Sequence, residues 1–324
     1  MKNFLWFGLF ISIISACGVK QKATIVLLPD TQTYAEKFPE IVYAQTDWIL
    51  KEASNIDFVL QQGDLTQNNS DKEWGIIQQA FTKLNGKVPY ILAIGNHDMG
   101  SAPGKFADIR NTELFNQYFP ESSMSKLPSF GATFEKNKIE NAYYLTKTGK
   151  INWLILTLEF GPRNKVLDWA NQIVNQHPNH LVIVNTHAYM YSDSTRQNGK
   201  DFWRAQAYGV GKDTGDDAVN DGEDIWNKLV KKHANIRFVF SGHVLNGGVG
   251  TLISVNEAGY LVYQMLANYQ EGVKESVKGG NGYLRILDLD FKKKQLNVKT
   301  YSPYLNQYKN EEAQSFTIKN MLYE

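Results

Sequence analysis

Tyr90-Ile91-Leu92-Ala93-Ile94 runs directly into Gly95-Asn96-His97-Asp98, and this stretch sets the reading of the whole chain. An unbroken apolar run is how a strand buried on both faces reads, and the residues after it offer an amide, an imidazole and a carboxylate. The same pattern recurs four times. Thr24-Ile25-Val26-Leu27-Leu28 leads to Asp30-Thr31-Gln32, and Phe58-Val59-Leu60 leads to Gly63-Asp64. Leu181-Val182-Ile183-Val184 leads to Thr186-His187, and Phe238-Val239-Phe240 leads to Gly242-His243. Open α/β sheets gather their ligands at the carboxyl ends of the strands. Five such ends on one edge would bring Asp30, Asp64, Asn96, His187 and His243 together as a metal site, with donors enough for two ions.

The intervening sequence supports alternating strands and helices. Residues 40–53 read as a helix with Ile41, Ala44, Trp48 and the Lys51 stem along one side. A second helix is opened by Ser70 or Asp71, carries Trp74, Ile77, Phe81 and Leu84 on one face, and stops at Asn85-Gly86. This β-α-β-α-β order predicts parallel pairing with right-handed crossovers. Residues 99–140 lose periodicity and read as an insertion near the site. Strands at 141–145 and 151–158, a helix around 164–176 and the Leu181 strand follow. Residues 188–220 are long, polar and glycine-rich, with Tyr189, Tyr191, Trp203 and Tyr208 interspersed, and a loop of that length is usually functional. Residues 224–233 read as helix. Segments 250–255, 260–267, 283–289 and 295–301 read as short antiparallel strands extending a second sheet. No internal repeat or interdomain linker stands out, which gives one domain over 23–305 and a C-terminal tail over 306–324.

With 324 residues, 43% hydrophobic and 13% aromatic, the chain has ample material for a large core. A formal charge of +1 calls for no nucleic-acid partner. The first residues read as a signal peptide, 1–16: Lys2 precedes an eleven-residue apolar stretch, Phe4 to Ile14. That stretch is short of the roughly 20 apolar residues of a spanning helix. Ile14-Ser15-Ala16-Cys17 resembles the lipobox of bacterial lipoproteins, which implies lipidation of Cys17, a tether over 17–22, and attachment to a bacterial envelope membrane, periplasmic or at the outer membrane. Cys17 is the only cysteine, so the mature chain forms no internal disulfide.

The motif series resembles the calcineurin-like metallophosphoesterase family over most of the mature chain. The resemblance implies a four-layer α/β/β/α sandwich with two mixed sheets, and a binuclear centre of Mn, Fe, Zn or Mg that hydrolyses phosphoesters. Carried over by position, Asp64 bridges both ions, Asn96, His187 and His243 complete one site, and Asp30 anchors the other. His97 becomes the general acid or transition-state stabiliser near the leaving oxygen, and Asp98 fixes its orientation. Elementary chemistry fits these roles: paired cations about 3.5–4 Å apart need a bridging anion, and they neutralise charge on a phosphoryl group while activating water. An O/N donor set without thiolate suits those same metals.

Two positions depart from the family pattern. Gln32 stands where the first motif usually has His, and Leu245 replaces the second His of the last motif, which here reads Gly242-His243-Val244-Leu245. The second ion would keep Asp30, Asp64 and the Gln32 amide oxygen, with Asn246 a candidate helper and harder ions favoured. Gln32 otherwise hydrogen-bonds a neighbour. Arg163 reads either as a phosphate clamp or as a salt-bridge residue, and Tyr189, Tyr191 and Trp203 either as a stacking wall or as loop packing. His177, His180 and His233 read as structural. No Gly-x-Ser-x-Gly elbow, phosphate loop or complete dinucleotide fingerprint is present. The expected partner is a small phosphorylated substrate or a phosphoprotein. The competing expectation is a non-catalytic or single-metal binding lipoprotein on the same scaffold.

Overall fold

The computed structural model of the chain describes residues 21–321. The expected signal peptide, Cys17 and most of the tether lie outside the described residues. The chain opens with three parallel strands, β1 (Lys22–Leu28), β2 (Phe58–Gln61) and β3 (Tyr90–Leu92). It then crosses to a second sheet, where β4 (Phe130–Glu135), β5 (Lys138–Thr148) and β6 (Ile151–Leu158) pair antiparallel. Strands β7 (Leu181–Thr186) and β8 (Ile236–Ser241) continue that sheet parallel to β6. β9 (Val249–Val255) and β10 (Leu261–Ala267) close its far side, with β10 parallel to β8 and β9 antiparallel at the edge.

The chain then returns to the first sheet. β11 (Leu284–Asp290) pairs antiparallel with β1, and β12 (Gln295–Ser302) pairs with β11. The four late strands therefore divide, two to each sheet, where the sequence had suggested a single extension of the second. Residues expected as a tail add β13 (Gln307–Lys309) and β14 (Phe316–Ile318), both on β12, and Met321 is fully buried. Among the described residues each sheet has seven strands.

Period-two alternation puts opposite faces of each strand into different layers. Ile25, Leu27, Phe58, Leu60, Trp153, Ile155, Ile183, Phe238 and Phe240 fill the space between the sheets. The opposite faces of the first sheet, with Val26, Leu28 and Val59, receive α1 (Gln32–Lys37), α2 (Pro39–Lys51), α3 (Asp71–Thr82) and α4 (Glu113–Tyr118), followed by the single turn of α5 (Glu121–Met124). Those of the second sheet, Leu154, Val182 and Val184 among them, receive α6 (Asn164–Gln176) and α7 (Gly222–Lys228). The architecture is the expected four-layer α/β/β/α sandwich. None of these helices is long and apolar enough to cross a membrane.

Local sequence explains the helix bounds. Ser70 caps α3 in a reciprocal box with Glu73, satisfying donors that the first turn leaves free. The buried face of α2 is Ile41, Val42, Gln45, Thr46 and Ile49, rotated from the side the sequence suggested. Gln45 and Thr46 disguise that face: Gln45 Nε2 donates to the Gly282 carbonyl and Thr46 Oγ1 to the Val42 carbonyl. α7 begins at Gly222, earlier than expected, since Asp221 is its cap, and a separate 3₁₀ turn covers Val230–Lys232. The 188–220 segment holds short 3₁₀ turns and two isolated bridges, Met190 with Arg196 and Val219 with Arg163.

Candidate metal centre

The carboxyl ends of β1, β2, β3, β7 and β8 meet at one edge of the sandwich, and each delivers its motif there. Asp64, His187 and His243 are buried, with ligand-capable atoms all within 4.8 Å of one another. Asp64 and His243 both adopt left-handed backbone, φ 49° and 73°. Such a conformation costs roughly 1–2 kcal/mol for a non-glycine residue, so the surrounding contacts must hold it. Two glycines make close approach possible. A Cβ on Gly95 would stand 2.0 Å from Asp64 Oδ1, and one on Gly242 would stand 2.2 Å from Asp30 Oδ1.

Neighbouring carbonyls orient the imidazoles. His187 Nδ1 donates to Gln62 O at 2.7 Å, which turns Nε2 toward Asp64 Oδ2 at 3.2 Å without the alignment of a hydrogen bond. His243 Nε2 donates to Trp203 O at 2.7 Å, leaving Nδ1 for the site. Gln32 Oε1 and Asn96 Oδ1 are buried acceptors with no donor. Buried acceptors without donors are rare in folded proteins. Here they accompany a carboxylate and two carbonyl-anchored imidazoles, a donor set that fits a divalent cation. Asp64, His187 and His243 form a group that could hold one ion, and Asn96 Oδ1 is a further acceptor lining the same cleft.

Protonation follows the same geometry. Burial would raise the Asp64 pKa, but His187, His97 and His243 outweigh it and hold the carboxyl below the usual carboxylate range. Burial would lower His187, yet Asp64 and then Asp30 override it and raise the imidazole to about 9. Burial and the His187 charge hold His243 down at about 3. The proton that His187 carries without metal is the one a cation displaces.

His97 lies beside this group. Its backbone N–H donates to Asp64 Oδ1 at 3.0 Å, its Nδ1 donates to Gln67 O at 2.8 Å, and its ring lies 3.9 Å from that of Phe106. Asp98 does not orient it. The Asp98 carboxylate accepts from Leu65 N at 3.0 Å, Thr66 N at 2.8 Å, Thr66 Oγ1 at 2.9 Å and Gly95 N at 2.9 Å. Its geometry clamps the loop after β2 to the loop after β3, because a buried carboxylate between two donor-rich turns is drawn to the backbone N–H groups.

Other expectations resolve plainly. Arg163 caps α6 and binds Glu159, Glu135 and Asp217, away from the cleft, so it is a salt-bridge residue. Tyr189 is fully buried and donates to Gln264 Oε1 at 2.7 Å, so it packs the second sheet. The Tyr191 hydroxyl bonds Asp201. Trp203 and Tyr208 do reach the cleft, a cavity of about 280 Å³ that also exposes Gln32, Asp64, Asn96, His97, His243 and Leu245. Asn246 is exposed and contributes only its carbonyl, which accepts from Lys274 N. Sequence reasoning missed Phe106, Gln67, Asn268 and Gln270. Asn268 and Gln270 follow β10 and donate to Asp30 Oδ2 at 3.1 and 2.9 Å.

The protein YvnB of Bacillus subtilis (strain 168), itself uncharacterized, is 28% identical over 295 residues. That alignment takes in 88% of this chain and 20% of the Bacillus protein, so the chain spans about a fifth of that relative's length. Among solved structures, the purple acid phosphatase PPD1 from yellow lupin (Lupinus luteus) superposes with a TM-score of 0.55 at 15% identity, over 93% of this chain and 54% of that one. GAP50, the anchor in the inner membrane complex of Plasmodium, gives 0.50 at 11% identity over 93% and 91%. These likenesses speak to the fold alone. Residues 23–247, most of the chain and every motif of the edge just described, match the calcineurin-like phosphoesterase family, to which the chain belongs.

Proposed function

We propose that the protein hydrolyses a phosphoester, monoester or diester, with a divalent ion on Asp64, Asn96, His187 and His243. The observation that carries this reading is the convergence of those donors beside a separately anchored His97. A divalent ion there (Mn, Fe, Zn or Mg) supplies Lewis-acid chemistry, withdrawing charge from a phosphoryl oxygen and acidifying water.

The chain's own residues supply the rest. His97 Nδ1 is committed to Gln67 O, so Nε2 is the atom left to protonate a leaving oxygen. Phe106 lies tilted against the ring and supports it from one side. Trp203 and Tyr208 wall the cleft, and the Trp203 carbonyl holds His243 in register. Lys37, paired with Glu271 at 3.0 Å on the rim, offers a positive charge to an incoming anion. The substrate is a small phosphorylated molecule or a phosphoprotein, met outside the cytoplasm by a protein tethered through Cys17.

Chelation should abolish hydrolysis of an aryl phosphate or a bis-aryl phosphate diester, and Mn(II) should restore it. Full metal occupancy with no turnover on either substrate would favour a binding protein on this scaffold.

A further inference from the structure

The place that a second cation would take beside Asp30 is closed by protein. We propose that the centre holds one divalent ion, and that the side-chain amides of Asn268 and Gln270 have taken over the second position, leaving Asp30 as a positioning residue. This rests on the metal-centre reading of the same cleft.

Three observations converge. Asp30 is 3% exposed, does not line the cleft, and stands outside the donor group formed by Asp64, His187 and His243. Its carboxylate is already engaged. Oδ2 accepts from Asn268 Nδ2 at 3.1 Å and Gln270 Nε2 at 2.9 Å, both oxygens lie 3.2 Å from His243 N, and Gly242 packs against Oδ1. The Asn268 amide cannot be turned the other way, because its oxygen accepts from Gln270 N at 3.0 Å. Finally, Leu245 occupies the cleft with an apolar side chain. Of the ligands expected for a second ion, an Asp64 oxygen and Gln32 Oε1 remain, fewer than the three protein ligands of an ordinary catalytic site.

The amides give Asp30 a different task. By taking the His243 N–H, its carboxylate steadies the left-handed backbone there and aims the imidazole into the site. Hydrogen bonds from neutral amides satisfy a buried carboxylate without bringing in charge.

The test is metal counting on the full chain, purified in Mn(II) and freed of excess ion, alongside electron paramagnetic resonance. One Mn per chain with a simple six-line spectrum is expected. The variant Gln32→His/Leu245→His/Gln270→Ala should rise toward two ions and show a spin-coupled multiline spectrum. Two ions in the wild-type protein with a coupled spectrum would overturn the proposal, whatever the variant does, and would leave the hydrolase reading standing. No bound ion and no hydrolysis would sink both.

Discussion

Replacing Asp98 separates two accounts of the most recognisable motif. If it served His97, Asp98→Asn would lower turnover and leave unfolding unchanged. The structure predicts a loss of stability instead. Three backbone N–H groups and the Thr66 hydroxyl donate to a carboxylate that is fully buried. Thr66 Oγ1 also has the His97 carbonyl at 3.4 Å, so it can be partly re-satisfied, but the Leu65, Thr66 and Gly95 N–H groups have nothing else. At about 1–3 kcal/mol per orphaned buried donor, three donors give about 3 kcal/mol at the low end for Asp98→Ala. That is a large part of the roughly 5–15 kcal/mol that holds an ordinary domain together. Asp98→Asn keeps one acceptor oxygen and should lose about half as much. Urea unfolding followed by tryptophan fluorescence in the presence of chelator reads the effect free of metal binding. An Asp98→Ala protein within about 1 kcal/mol of wild type, folded and fully metallated, would refute the clamp.

Further outcomes can be checked together. His97→Ala should lower kcat by about 100-fold or more with metal content unchanged, the usual scale for losing a general acid; metal lost along with rate would contradict its role. Gly242→Ala should weaken metal binding at least about tenfold by calorimetry, since the new Cβ would lie 2.2 Å from Asp30 Oδ1 and push the Asp30–His243 pair apart. Gly75→Ala, inside α3 with open space around the added methyl, should stabilise the protein by about 0.5–1 kcal/mol; destabilisation would mean that the helix is packed differently there. Metal-free protein should lose stability as pH rises from 6.5 to 9. His187 is raised to about 9, so its contribution is full below the unfolded value of 6.5 and vanishes above the folded one. A urea midpoint that stays flat across that range would contradict the His187–Asp64 pairing.

What could be read in advance was whatever lies along a single strand and its end. Asp30, Asp64, Asn96, His187 and His243 each follow a buried run, and topology alone carries them to one edge. The direction of a side chain beyond that end was not legible. Arg163 and Tyr189 also follow strands, yet both turn toward partners away from the cleft, because carboxylates and Gln264 satisfy them there. Asn268 and Gln270 carry no motif, and their meaning exists only where β10 brings them against Asp30. Phe106 sits in the aperiodic insertion, where no pattern predicts a ring lying tilted against His97. Strand pairing also escaped notice for β11 and β12, since an amphipathic strand after β10 suits either sheet and only the completed edge of β1 decides.

The direction of β1 settles which end of the sandwich holds the start of the described chain. Lys22 lies at one end of that strand and Asp30 just past the other, so the described chain begins at the rear of the sandwich. At about 3.3 Å per residue the rim of the cleft stands about 20 Å in front of Lys22. A probe fixed at residue 21 would therefore report on the back of the molecule without crowding the cleft.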